Sequence, residues 1–167
     1  METLLLVALA GTALLILAVR SRSALPAPLR GAELHLNETT LHISDPVRLS
    51  GRPDQVWRSR DGTLVITDTK TRKSHRIYPA DTVQLSVYAY LLRRKELARV
   101  HDTAYVRVPA SLGAKYVPVP LLPDAEIENL HARHAALIRG DSVPETNGTK
   151  QLCHHCGHKP RCPRWNG

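Results

Sequence analysis

Residues 51 to 70 read Gly51-Arg-Pro-Asp-Gln-Val-Trp-Arg-Ser-Arg-Asp-Gly-Thr-Leu-Val-Ile-Thr-Asp-Thr-Lys70. Two strand-like runs lie in and beside this stretch: Val47, Leu49, Val56 and Trp57 on one side, Leu64, Val65 and Ile66 on the other. Asp61-Gly62 between them is a strong hairpin signal, because glycine reaches positive φ without a Cβ penalty. A hairpin folds Asp54 back toward Asp68 and Lys70. Residues two apart on a strand share a face, so Asp68 and Lys70 point the same way. Two carboxylates and an ammonium converging on one spot suit a hard divalent cation and a phosphate ester. Asp54 and Asp68 supply oxygen ligands for Mg²⁺ or Mn²⁺, with the carbonyl of Thr69 as a further donor. Lys70 is placed to orient a water or to stabilise developing negative charge. The competing reading is a turn aspartate and a surface salt bridge.

The residues Pro53-Asp54 and Asp68-Thr69-Lys70 resemble the two halves of the signature of the PD-(D/E)xK nuclease superfamily. Gln84 and Tyr88 are similar to the Q-x-x-x-Y element of its RecB-like branch, which includes CRISPR-associated iron–sulfur exonucleases. The resemblance covers about residues 31 to 162. It implies an α/β fold, a restriction-endonuclease-like core with a mixed central sheet flanked by helices. It also implies metal-dependent hydrolysis of DNA phosphodiester bonds, with Asp54, Asp68, Lys70, Gln84 and Tyr88 as catalytic residues. Gln84 would bind a metal-bound water or phosphate, and Tyr88 would support Lys70. Members of the branch also carry an acid or histidine upstream of the first aspartate. Glu33, His35 and His42 are the nearest candidates here, and none is preferred.

Composition agrees with a polyanionic partner. The chain has 167 residues and a formal charge of +8. Arg52, Arg58, Arg60, Lys70, Arg72, Lys73 and Arg76 stand against Asp54, Asp61 and Asp68 in the central stretch. Arg52, Arg72 and Lys73 are the expected nucleic-acid contacts. The apolar share is 43% with no phenylalanine, so the core must come from Leu, Val, Ile and Ala.

Working outward, residues 3 to 19 are apolar or small throughout. As a helix they would span roughly 25 Å, against ~30 Å of hydrocarbon. Glu2 precedes this segment and Arg20 and Arg22 follow it, which disfavours a cleaved signal peptide. The same charges predict a single-pass anchor in the cell membrane with the remaining chain on the cytoplasmic side. The expected organisation is an anchor over 1–22, a linker over 23–30, a nuclease-like core over 31–140 and a Cys/His-rich tail over 141–167. Within the core, Leu34, Leu36, Leu41 and Ile43 suggest a first strand or hairpin. Pro79 opens a helix whose core stripe is Val83, Val87, Tyr90, Leu91 and Leu97. Thr103 to Val108 and Lys115 to Val119 read as strands, and Asp124 caps a last helix that Gly140 ends.

All three cysteines lie in the tail, Cys153, Cys156 and Cys162. Their spacing resembles the C-terminal triplet of the iron–sulfur members, whose fourth, N-terminal cysteine has no counterpart here. His158, midway along the closing loop, ranks first as a fourth ligand. A [4Fe–4S] cluster, a Zn²⁺ ion or a metal-free remnant all fit this pattern. The function expected from the whole is a membrane-anchored, metal-dependent nuclease. The alternative is a catalytically inactive nuclease-like module that binds nucleic acid or a partner at the membrane.

Overall fold

The computed structural model describes residues 25–72, 74–110, 113–145 and 150–162. The expected anchor over 1–22 and the expected DNA contact Lys73 lie outside these residues. The chain divides into two compact units, residues 1–128 and 129–167.

The first unit is built on strand β5, Leu64–Thr69. Its Leu-Val-Ile start is apolar on both faces, as a central strand buried from both sides requires. Strand β4 (Gln55–Arg58) pairs with it antiparallel across the turn from Ser59 to Thr63. Gly62 takes a φ of 83° there, and the Asp61 carboxylate accepts from the Ser59 hydroxyl and from the backbone and hydroxyl of Thr63. These bonds, the Ser59 hydroxyl first, hold the Asp61 pKa down at about 2. Strand β6 (Thr103–Ala110) lies parallel to β5 on its other side, and β7 (Gly113–Pro120) pairs antiparallel with β6. With β1 (Glu33–Asn37) on the outer edge of β4, the sheet order is β1-β4-β5-β6-β7. The sheet is mixed, as expected, because the parallel β5–β6 step demands a helical crossover.

That crossover is helix α1, Pro79–Glu96. Pro79 opens it and the Tyr78 N–H donates to the Asp81 carboxylate at 2.8 Å. Arg93, Arg94 and Lys95 sit in the last turn, where cations oppose the helix dipole. The face turned to the sheet is Leu85, Tyr88, Ala89 and Leu92, which meet Val56, Leu64, Ile66, Val106 and Val119 in the main core. The expected stripe was displaced by part of a turn. Tyr90 and Leu91 are fully buried, but Val83 and Val87 lie at the edge. Leu97 is 89% exposed and ends the helix in the left-handed conformation, so it serves as a cap residue and not as core.

The N-terminal alternation also resolves differently. β1 joins the main sheet, whereas β2 (Leu41–Ile43) turns away and pairs with β3 (Leu49–Gly51) in a separate two-stranded sheet against α1. Glu38, at a φ of 45°, marks the departure, and its N–H is retained by the Asp54 carbonyl. Leu49 therefore belongs to β3 and not to the central hairpin. The last helix, α2 (Asp124–Arg139), runs as expected to Gly140 at a φ of 80°. Asp124 is its first residue and not its cap; its carboxylate accepts from Arg93 at 2.7 Å. The second unit continues with a short helix α3 (Lys150–His154) and a 3-10 turn (Lys159–Arg161).

Two glycines differ in what a methyl group would meet. At Gly62 a Cβ finds open space but a positive φ. Gly62→Ala should therefore cost about 1 kcal/mol and leave the rest of the molecule unchanged. At Gly51 a Cβ would lie 2.8 Å from Tyr88 Cε1 and 3.1 Å from Leu91 Cδ1. Gly51→Ala should cost roughly 1–3 kcal/mol as overpacking, read as a lowered urea midpoint.

Candidate active site

The register of the central hairpin decides whether a site exists. Gln55 faces Thr67 and Val56 faces Ile66. One step further along the same register, Asp54 stands opposite Asp68, and both fall on the α1 side of the sheet. The Asp54 carboxylate bends across the sheet end and accepts the Thr69 N–H at 2.7 Å. Lys70 leaves β5 on the same face as Asp68, anchored by its N–H on the Arg107 carbonyl at 2.9 Å. Its ammonium lies 2.8 Å from Asp68 Oδ2 and donates to Gln84 Oε1 at 2.9 Å.

Helix α1 supplies the other half. Gln84 and Tyr88 are one turn apart, and Gln84 Nε2 donates to the Tyr88 hydroxyl at 2.8 Å. The same amide nitrogen is 3.4 Å from Asp68 Oδ1. Gln84 thus links Lys70, Asp68 and Tyr88. Tyr88 is 8% exposed, so it belongs to the core and to the polar network at once. The structure brings together Asp54, Asp68, Thr69, Lys70, Gln84 and Tyr88.

Asp68 is the buried member. Burial pushes its carboxyl above the usual aspartate range; Lys70 pulls it back, while Asp54 and Asp81 push it further up. Lys70 Nζ forms an ion pair with Oδ2 at 2.8 Å, and this buried oxygen has no further partner. A buried carboxylate whose outer oxygen meets only an ammonium, beside a second carboxylate, fits a hard divalent cation, which takes oxygen donors and keeps several waters. Among the described residues no group of three or more His, Cys, Asp or Glu is poised around one point. Asp54, Asp68 and the backbone carbonyl of Thr69 are the oxygen donors that stand nearest one another there.

One acid of the site has no counterpart in the sequence expectations. Asp81, 5% exposed, receives both terminal nitrogens of Arg72, at 3.0 and 2.6 Å, and lies 4.0 Å from Lys70 Nζ. Arg72 holds its carboxyl below the usual range. Arg72 also donates to the Arg76 carbonyl and covers the Tyr78 ring at 4.9 Å. Its guanidinium is thus spent on the loop between β5 and α1, a position different from the open nucleic-acid contact expected of it. Arg52 is exposed and pairs with Glu38. The acid in P-A-D at the start of α1 was the available signal for Asp81, but in sequence it reads as ordinary helix capping.

The upstream candidates are engaged elsewhere. His35 pairs with Glu96 at 2.6 Å and with Arg58, and His42 bonds the Ser44 hydroxyl. Glu33 faces Arg58 on the outer edge of the sheet. In the second unit, Cys153, Cys156 and Cys162 are free thiols on α3 and the turns after it. Those three cysteines and His158 form no metal-ligand group among the described residues.

Two substitutions separate these acids. Because burial raises its pKa, Asp68 favours folding only while protonated, and that contribution is lost as pH rises through its folded value. In metal-free protein, Asp68→Asn should therefore raise the melting temperature by a few degrees, on the order of 2–4 °C. The gain should grow from acidic to neutral pH. Asp81 is the opposite case: its stabilisation is present above the unfolded value and lost as pH falls through the lowered folded one. Asp81→Asn should destabilise by about 1–3 kcal/mol, because it strands the half-buried Arg72. Thermal melts across pH check both signs.

No curated protein matches the chain. Among solved structures, one described as the crystal structure of SSO0001 is similar, with 18% identity and a TM-score of 0.47, over 89% of this chain and 68% of that one. A family model described as the PD-(D/E)XK nuclease superfamily matches residues 10–163, a range that contains both aspartates, Lys70 and the three cysteines. The chain belongs to the PD-(D/E)XK nuclease superfamily.

Proposed function

We propose that this chain is a metal-dependent nuclease that hydrolyses DNA phosphodiester bonds at Asp54, Asp68 and Lys70. The observation that carries the reading is the cross-strand carboxylate pair, with Asp68 buried and the Lys70 ammonium 2.8 Å from its Oδ2. Asp54 and Asp68, with the Thr69 carbonyl, would hold Mg²⁺ or Mn²⁺. When bound, such an ion supplies charge neutralisation on the scissile phosphate and a water of lowered pKa. Lys70 is fixed by Gln84 so that its ammonium faces the same point, where it stabilises charge that develops on the phosphate oxygens. Gln84 keeps its amide oxygen for Lys70 and its amide nitrogen for Tyr88 and Asp68, so the lysine cannot swing away without giving up the Gln84 bond and its ion pair with Asp68.

The same network supports placement in the RecB-like branch, since Gln84 and Tyr88 are bonded to each other and to the acid–lysine pair. The remaining parts of the proposal rest on sequence alone. They are a membrane anchor over 1–22 with the nuclease in the cytoplasm, a linker over 23–30 and a core over 31–140. A tail over 141–167 would bind Zn²⁺ or a [4Fe–4S] cluster through Cys153, Cys156, Cys162 and His158. Arg52 and Lys73 would join the basic face that receives DNA. The engagement of His35 with Glu96 favours a second reading, an inactive module that keeps the fold and binds nucleic acid.

Full-length protein in detergent should cleave DNA with Mg²⁺ or Mn²⁺ and stop on EDTA addition. Asp54→Ala and Asp68→Ala should abolish cleavage. Lys70→Ala should lower the rate by about 10²–10³ while DNA binding persists. Folded protein that cleaves neither DNA nor RNA with either ion would sink the nuclease reading in favour of the inactive module.

A further inference from the structure

The sheet has a second face beside the site, turned away from α1. Thr69, Arg107 and Tyr116 stand side by side on it across β5, β6 and β7. Together with Trp57 on β4 and Asp54 at the sheet end, they line an open cleft of about 460 Å³. That volume falls within the ~300–1,000 Å³ usual for small-molecule clefts. Trp57 is pinned by its Nε1–H, which donates to the Thr67 hydroxyl at 3.0 Å. Glu38 also lines the cleft, and its carboxylate is neutralised by Arg52.

Arg107 is the unusual member. It is half-buried, yet among the described residues its guanidinium makes no hydrogen bond, ion pair or ring contact. Arg58, Arg72, Arg93, Arg94 and Arg99 in the same unit all have such partners. Its backbone is fixed on both sides, by the β6–β7 pairing and by the carbonyl that accepts from Lys70. A half-buried guanidinium on a rigid strand is suited to a phosphate, which it can bind through two parallel hydrogen bonds. Aromatic side chains beside a cationic group are the common means of holding a base, because every base has a π face. The cleft shares Asp54 and Thr69 with the carboxylate site, so a group held there lies one short step from the proposed scissile phosphate.

We propose that this cleft is a nucleotide subsite, with Arg107 on the phosphate adjacent to the bond that is cut and Trp57 and Tyr116 against the neighbouring base. This rests on the nuclease reading for its orientation, but its own evidence is the unpaired Arg107 and the two aromatics. The occupant is a nucleotide whose base is out of a helical stack, since a paired base could not reach the strand face.

Binding is measured on full-length Asp68→Asn protein in EDTA, so that no cleavage intervenes, by fluorescence anisotropy with a 5′-phosphorylated thymidine octamer. Adding Arg107→Ala should weaken binding about tenfold and lower the slope of log affinity against log salt by about one. Arg107→Lys should restore the slope but not the full affinity. Tyr116→Leu and Trp57→Leu should weaken the octamer about tenfold but leave an abasic octamer unaffected. Thermal melts confirm that each variant is folded, and Arg107→Ala decides the test if either aromatic variant is not. Unchanged affinity in folded Arg107→Ala, or equal losses for Tyr116→Leu on the octamer and its abasic form, would overturn the subsite. Cleavage by the parent chain alongside such a result would leave the nuclease reading standing. Arg107-dependent binding without cleavage under any metal would do the reverse.

Discussion

The pairing of β4 with β5 is the constraint on which the site depends. Side chains alternate along a strand, so a slip of one residue would move Asp54 to the far face of the sheet. The register is fixed from two directions. At one end, Asp61 and Gly62 close the turn with a set of side-chain bonds that no neighbouring alignment could make. At the other, Asp54 itself accepts the Thr69 N–H, so such a slip would also break a contact of the site. The apolar pattern adds to this, since Val56 and Ile66 face each other in the core beneath α1. The parallel neighbour β6 then requires the chain to cross over, and the crossover helix carries Gln84 and Tyr88 above Lys70.

Burial and charge make opposite demands on Asp68. Its burial is unfavourable to a carboxylate, and Lys70 offsets only part of that cost. Asp81 and Arg72 show the contrasting solution, a buried carboxylate matched by a bidentate partner. The loop between β5 and α1 is thus tied down by a two-bond ion pair, although Arg72 Nε is left without a partner, while Asp68 Oδ2 next to it meets only the Lys70 ammonium.

Much of this arrangement was readable from residue order. The turn at Asp61-Gly62 and the alternation that gives β6 and β7 rest on local chemistry, and so does the helix from Pro79; each came out near its expected bounds. The pairing of β1 and β2 was not readable, because Leu34, Leu36, Leu41 and Ile43 alternate alike although two of them join one sheet and two another. What separates them is the long-range partner, β4 or β3, and local pattern carries no information about it. Leu97 misled for a related reason: its helical spacing was right, but the helix had already ended. Asp81 was legible only as a capping acid. Its role beside Lys70 follows from where the chain goes after Thr69, which the sequence does not specify.

Gly51 ends β3 and Tyr88 lies on α1, yet a methyl group on the first would strike the ring of the second. The two positions therefore form a single steric unit across the β2–β3 sheet and α1. A larger residue at 51 fits without crowding when a smaller one stands at 88, and that change discards the hydroxyl to which Gln84 donates. Neither order of substitution is smooth: the first step either crowds the core or loosens Lys70. The coupling is one of van der Waals distance, and it ties Gly51 to the polar network although its side chain contributes no polar atom.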